Sequence, residues 1–142
     1  MSNQWLTIGE LAHRTGVAPS ALRYYEELGV LAPPPRTSGQ RRYDPSAVER
    51  VGMILLLRDV GFTLAETKVF LASRSVAPNA WRRLARHKLA ELDGQIQRAR
   101  LARAALQHAV RCTHEDLLDC PNFAGVLAAR LEGKPLQEAH TH

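Results

Sequence analysis

Apolar positions along the chain recur at helical spacing in short blocks, each bracketed by residues that start or stop helices. Thr7 precedes Ile8, Leu11 and Ala12, with Glu10 three residues beyond it, a capping box that opens a short amphipathic helix ended by Gly16. Pro19 and Ser20 start a second helix that runs through Leu28 and stops at Gly29. Two short helices joined by a tight, Gly-containing turn make a helix-turn-helix pattern. Pro33, Pro34 and Pro35 then bar helix, and Ser38-Gly39 supplies a turn whose flanks suit a short two-stranded wing. Asp44-Pro45 caps a third helix carrying Val48, Val51, Ile54 and Leu55 on one face and ended by Gly61. Thr63, with Glu66 three residues on, caps a fourth that reaches about Ala72.

The second half has a different rhythm. After a loop at residues 73–78, Asn79 is placed to cap a helix reaching Arg111, with no proline and a single glycine, Gly94. Ala85, Leu89, Leu92, Ile96, Ala99, Leu106 and Val110 form a stripe at 3-and-4 spacing, interrupted once by Arg103. A helix that long needs a partner for its stripe, and a second copy of the chain is the economical one. Packing against the N-terminal helices is the alternative. Gly94 costs about 1 kcal/mol in helix propensity, consistent with a close helix crossing. Beyond it come a loop from Cys112 to Cys120, a last helix over about 123–131 stopped by Gly133, and a tail expected to fray.

Composition narrows the function classes. No apolar run approaches the roughly 18 residues needed to cross a membrane. The N-terminus lacks a signal peptide's basic-then-apolar layout, so a cytoplasmic location is expected. Two cysteines in 142 residues exclude a disulfide-rich secreted scaffold, and 6% aromatic residues argue against stacking-based single-strand binding. The net charge is +5, but it is unevenly spread. Residues 1–72 carry eight basic and seven acidic side chains, residues 73–112 nine and two, and residues 113–142 two and five. A basic stretch on a long helix is ordinarily a solvated face, so an argument for nucleic acid has to rest on local pattern.

That pattern resembles the MerR family of bacterial transcription regulators. The resemblance is carried by Thr7-Ile8-Gly9-Glu10-Leu11-Ala12, Gly16-Val17, Leu22-Arg23-Tyr24-Tyr25-Glu26, Gly29-Val30-Leu31, Arg41-Arg42-Tyr43 and the run from Leu57 to Leu64, in order, followed by a long helix. It implies a mainly α fold: a winged helix-turn-helix DNA-binding head (residues 1–73), a dimerisation helix in an antiparallel coiled coil (79–111) and an effector-sensing loop with a short helix and tail (112–142). It also implies double-stranded promoter DNA, RNA polymerase and a second copy as partners. In such regulators the effector-bound dimer distorts a promoter whose spacer is too long.

The residues themselves suit those roles. A recognition helix needs base-reaching groups on its N-terminal half and an apolar face docked on the first helix. Ser20, Ala21, Arg23 and Tyr24 offer the former and Leu22 the latter. Arg23 can grip a guanine or a phosphate. Tyr24 and Tyr25 point in different directions, so one reaches a phosphate while the other can be core. Arg36, Arg41 and Arg42 lie on the wing, with Tyr43 beside them, as phosphate contacts that set register and salt dependence. Arg58 falls where the family anchors to phosphate or braces the head; the residues leave its role open.

At the other end, Cys112 and Cys120 follow the long helix at C-x7-C spacing. By resemblance this is the effector loop, closest in spacing to the copper-sensing branch, where two thiolates hold Cu(I). No cysteine stands at the start of the long helix, which counts against a three-thiolate site, and two cannot supply a four-cysteine iron–sulfur cluster. Soft thiolates select Cu(I). Yet His114, Glu115, Asp116 and Asp119 suit a harder divalent ion such as Zn(II), with His114 or His108 as third ligand. A reversible disulfide sensing an oxidant or electrophile is another reading, although neighbouring carboxylates are expected to disfavour thiolate. So is a pair of thiols that merely packs a hairpin with Leu117, Leu118 and Phe123. An enzyme using a Cys nucleophile and a His base lacks a third, orienting group and a second domain. An architectural DNA binder without an effector is the stronger rival.

Overall fold

The computed structural model describes residues 4–139. Seven helices and one small hairpin follow in the order α1 (Ile8–Thr15), α2 (Pro19–Glu27), β1 (Arg36–Thr37), β2 (Gln40–Arg41), α3 (Ser46–Asp59), α4 (Leu64–Ser73), α5 (Ala80–Arg111), α6 (Pro121–Leu131) and α7 (Leu136–Ala139), with a 3-10 turn at Leu117–Asp119 before α6. The chain divides into two compact units, Met1–Lys88 and Leu89–His142, with the boundary inside α5.

The first unit is built on local signals that agree with one another. Thr7 and Thr63 each accept a hydrogen bond from the N–H three residues on, while the Glu10 and Glu66 carboxylates accept one from the N–H of the cap residue. Both expected capping boxes are therefore formed. Gly16 closes α1 at φ 74°, a left-handed conformation that costs glycine least, and so lets α2 follow after a tight turn. Pro19 stands in the first turn of α2, where its missing N–H is harmless. In the wing, Arg36 pairs with Arg41 and Thr37 with Gln40. Ser38 and Gly39, at φ 54° and 80°, form the two-residue loop whose positive φ values match the twist of a hairpin. A single bridge between Leu6 and Tyr43 fastens the base of the wing to the N-terminal strand segment.

Leu11, Leu22, Val51 and Ile54 are fully buried, and Val30, Leu31, Tyr43, Leu57, Phe62, Phe70 and Leu71 complete the same core. Phe62 and Phe70 meet edge to face at 5.4 Å between ring centroids. The first turns of α5 close over this core through Trp81 and Leu84. Lys88 on α5 is buried, yet its ammonium donates to both Glu66 carboxylate oxygens at 3.1 Å and lies 5.1 Å from the Phe62 ring centre. One carboxylate thus caps α4 and ties it to α5.

The second unit has almost no interior of its own. α5 is a 32-residue helix, about 48 Å long at 1.5 Å per residue. Leu89, Ile96, Leu106 and Val110 of the expected stripe are all exposed within the single chain. Among the described residues beyond Lys88, only Cys120 is buried. α6 begins at Pro121, two residues before the sequence predicts, because proline fits the first helical turn. The tail forms one short helix, α7, rather than fraying from Gly133 onward. Its end at residues 140–142 lies outside the described residues. No helix among the described residues is long and apolar enough to cross a membrane.

Candidate DNA-binding face and thiol site

Two sites were expected, and the residues named for each fall in a different unit. In the first, α2 buries Leu22 and Tyr25 and packs Ala21 and Leu28 against the core. The opposite stripe, Ser20, Arg23, Tyr24 and Glu27, is exposed at i, i+3, i+4, i+7 spacing. Of the expected contacts on this helix, Ser20, Arg23 and Tyr24 are free to meet DNA. Tyr25 is buried in the core and Ala21 is partly buried against it, on the side of the helix away from that stripe.

The wing contributes Arg36 and Arg42, with Arg42 donating to Gln40 at 3.3 Å. Arg41 behaves differently: its Nε donates to Glu26 at 3.2 Å. Tyr43 is likewise buried. It is only 1% exposed, and its hydroxyl donates to the other oxygen of Glu26. Burial, then the bond to Glu26, push the Tyr43 hydroxyl far above the usual phenol range. Its motif neighbours Arg41 and Arg42 are at the surface, but Tyr43 itself is a core strut. Glu26 is the residue that sequence reasoning missed as an organiser. Half-hidden on the recognition helix, it holds both the wing arginine and the buried tyrosine, so α2 and the wing are fixed to one another. Arg58, in the last turn of α3, is exposed.

The second site lies where α5 ends. Cys112 Sγ, a ring nitrogen of His114 and Cys120 Sγ all lie within 4.8 Å of one another. Cys112 Sγ and His114 Nδ1 are 3.3 Å apart. The local chain explains this convergence. Asp116 accepts from the Leu118 N–H and starts the 3-10 turn, which folds the loop back. Cys120 then ends that turn and begins α6, so its sulfur sits at a helix N-terminus. His108, one turn before the end of α5, places Nε2 at 3.8 Å from the Cys120 sulfur and 3.1 Å from Asn122 Nδ2. The hydrogen bond with His108 lowers the Cys120 thiol most, the Phe123 N–H helps, and the thiol is pulled down to about 6. The expectation that the acidic loop would disfavour thiolate is overturned here, because the sulfur faces donors rather than carboxylates. Leu118 is 61% exposed, so the thiols do not simply fill a small apolar hairpin.

Two sulfurs, one near-neutral in acidity, and an imidazole are a donor set for a thiophilic metal ion. They fit such an ion without rearrangement of the chain beyond side-chain adjustment. Glu115 and Asp119 belong to the same loop but not to this cluster of donor atoms.

Comparison with known proteins joins the two sites. Residues 6–74 match the family model described as MerR HTH family regulatory protein, and residues 48–109 match the one described as MerR, DNA binding. The chain is 32% identical over 120 residues to the HTH-type transcriptional regulator HmrR of Rhizobium leguminosarum bv. viciae, covering 82% of this chain and 93% of that one. It is 33% identical over 121 residues to heavy metal-dependent transcription regulator 2 of Rhizobium meliloti, covering 82% of each. Among solved structures, the N-terminal part of MtaN, the Bacillus subtilis multidrug transporter activator, superimposes with a TM-score of 0.64 at 26% identity, over 74% of this chain and 97% of that one. These relatives are transcription regulators and not enzymes. With a winged helix-turn-helix head, a long following helix and relatives of nearly its own length, the chain belongs to the MerR family of DNA-binding transcription regulators.

Proposed function

We propose that the protein regulates transcription in response to a metal ion bound by Cys112 and Cys120, and that it does so as a dimer. The observation that carries this reading is the convergence of two cysteines and a histidine at the end of α5. Relatives described as heavy metal-dependent regulators support it. Cu(I) needs only the two thiolates, and the C-x7-C spacing favours it as the soft ion. The zinc-type reading draws on the third donor, His114.

DNA is met by Ser20, Arg23 and Tyr24 on α2, by Arg36, Arg41 and Arg42 on the wing, and by Arg58. Arg23 is the base-reading candidate; the wing arginines hold the backbone. A second copy covers the stripe of Leu89, Ile96, Leu106 and Val110, exposed in one chain, together with the half-buried Leu92. The protein activates promoters by distorting them for RNA polymerase: metal at the thiols biases two orientations of the heads, the differential contact that coupling requires.

Cys112 and Cys120 would hold the metal ion, whose affinity for thiolates would tie the two ends of the loop together. His108 and Asn122 hold the Cys120 sulfur in place at the start of α6, and the 3-10 turn sets the distance back to Cys112. Equilibrium dialysis of reduced protein against Cu(I) or Zn(II), followed by elemental analysis, tests the reading. Binding should disappear in Cys112→Ser and in Cys120→Ser while operator binding remains. Metal retained by both variants would refute it. A purely architectural DNA binder would take up no ion at all.

A further inference from the structure

The thiol site holds more than two thiols need. A two-coordinate ion requires only opposed sulfurs, and a nearby nitrogen is then superfluous. Here the His114 imidazole is turned onto the site, with Nδ1 at 3.3 Å from Cys112 Sγ and a ring nitrogen within 4.8 Å of Cys120 Sγ. In a tetrahedral centre with metal–sulfur bonds near 2.3 Å and metal–nitrogen bonds near 2.05 Å, adjacent sulfur and nitrogen ligands stand about 3.6 Å apart. Adjacent sulfurs stand about 3.8 Å apart. The Cys112–His114 pair already sits close to such an edge, and the third donor is within about an ångström of completing the face.

Charge points the same way. Two thiolates around a monovalent ion leave one net negative charge. The loop around it carries Glu115, Asp116 and Asp119 and no basic residue between the cysteines. Two thiolates and a neutral imidazole around a divalent ion leave none, so the carboxylates then meet no net negative charge to repel. Burial distinguishes the sides of the site. Cys120 is 3% exposed and backed by His108, whereas Cys112 is half-buried and His114 exposed. His108 therefore braces the inner sulfur, and the remaining coordination position faces outward.

Building on the thiol-site reading above, we propose that His114 completes a Cys2His centre that takes a borderline divalent cation of the zinc class, and that this imidazole sets the choice against a monovalent soft ion. The thiols bind either kind of ion; His114 adds affinity only for the one that wants a third ligand. His114 is on an exposed loop and touches only Cys112 among the described hydrogen bonds, so its replacement leaves the fold intact.

The test is metal titration of reduced, full-length wild type, His114→Ala and Cys112→Ser, with Co(II) as a spectroscopic probe, Zn(II) by competition against it, and Cu(I) by competition against a chelator. Wild type should show thiolate-to-cobalt charge transfer and the intense ligand-field bands of a tetrahedral centre. His114→Ala should lose at least about tenfold in Co(II) and Zn(II) affinity, with weakened ligand-field bands, while its Cu(I) affinity stays within about threefold. His114→Cys should restore divalent binding. Thiol-dependent Co(II) and Zn(II) binding that is indifferent to His114 would overturn this inference while leaving the thiol sensor standing. An equal loss of Cu(I) and Zn(II) in His114→Ala would also overturn it. Metal binding unaffected by Cys112→Ser would overturn both.

Discussion

The two units solve the problem of burying apolar surface in opposite ways. Up to Lys88, fourteen apolar residues form one closed core, and the capping boxes at Thr7 and Thr63 and the turn at Ser38-Gly39 that lead into it form locally. From Leu89 on, the described residues bury only a cysteine, and leucines, isoleucine and valine lie open along α5 and α6. The first unit is stable because of what it contains. The second, in our reading, is arranged for what it meets, a metal ion at one end and a second chain along its length. Rigidity is thus concentrated where DNA must be read, and unsatisfied surface where a signal must enter.

The contrast can be broken most forcefully at the seam. Replacing Leu92 and Ile96 together with Asp should dissociate the dimer outright, read by sedimentation; a double variant that still sediments as a native dimer would place the seam elsewhere. Equivalent truncations in the two units should then diverge. Leu11→Ala, fully buried in the head, should cost about 2–5 kcal/mol in chemical denaturation. Leu131→Ala, 81% exposed on α6, should stay within about 0.5 kcal/mol. Equal costs would erase the distinction drawn here.

A finer probe within the head is Arg23→Ala, expected to weaken operator binding by about 1–3 kcal/mol at fixed salt, with little effect on folding. Arg41→Ala should weaken all sequences alike and flatten the salt slope by about one unit. Since Arg41 also pairs with Glu26, Glu26→Gln should lower operator affinity in the same direction although Glu26 is negatively charged. An increase in affinity would mean that the pairing does not position the wing. Smallest in energy is the titration of Cys120. Its pKa is lowered in the folded chain, so the stability it contributes is complete above the unfolded thiol's range and is lost as pH falls through about 6. Thiolate absorbance of the Cys112→Ser variant should show a midpoint well below that of the denatured protein. Coincident midpoints would remove His108 and the α6 N-terminus as its cause.

The head was legible because its signals are local and redundant. Thr7 with Glu10, Thr63 with Glu66, Pro19, Gly16 and Ser38-Gly39 each specify a backbone conformation within four residues, and the structure forms all of them. Side-chain direction across elements was not legible. Tyr43 follows two half-buried arginines, and the bridge to Leu6 and the carboxylate of Glu26 draw it inward. The pairing of Lys88 with Glu66 spans 22 residues and leaves no trace in local pattern. At the thiol site, the candidates Cys112, Cys120 and His114 were visible from spacing and residue type. The acidity of Cys120 was misjudged because sequence shows the carboxylates of the loop but not that His108 and the start of α6 face the sulfur. Asn122 gave no signal beyond its position after Cys-Pro.

The central claim is that metal at the thiols governs what the DNA-bound head does, while the head itself stays competent. It is tested most directly by measuring promoter output and operator affinity in parallel for wild type, Cys112→Ser and Cys120→Ser, each with and without Cu(I) or Zn(II). We predict that metal raises output several-fold in wild type with little change in operator affinity, and that both variants bind the operator normally but no longer respond. Metal-dependent output retained in both variants would contradict the claim.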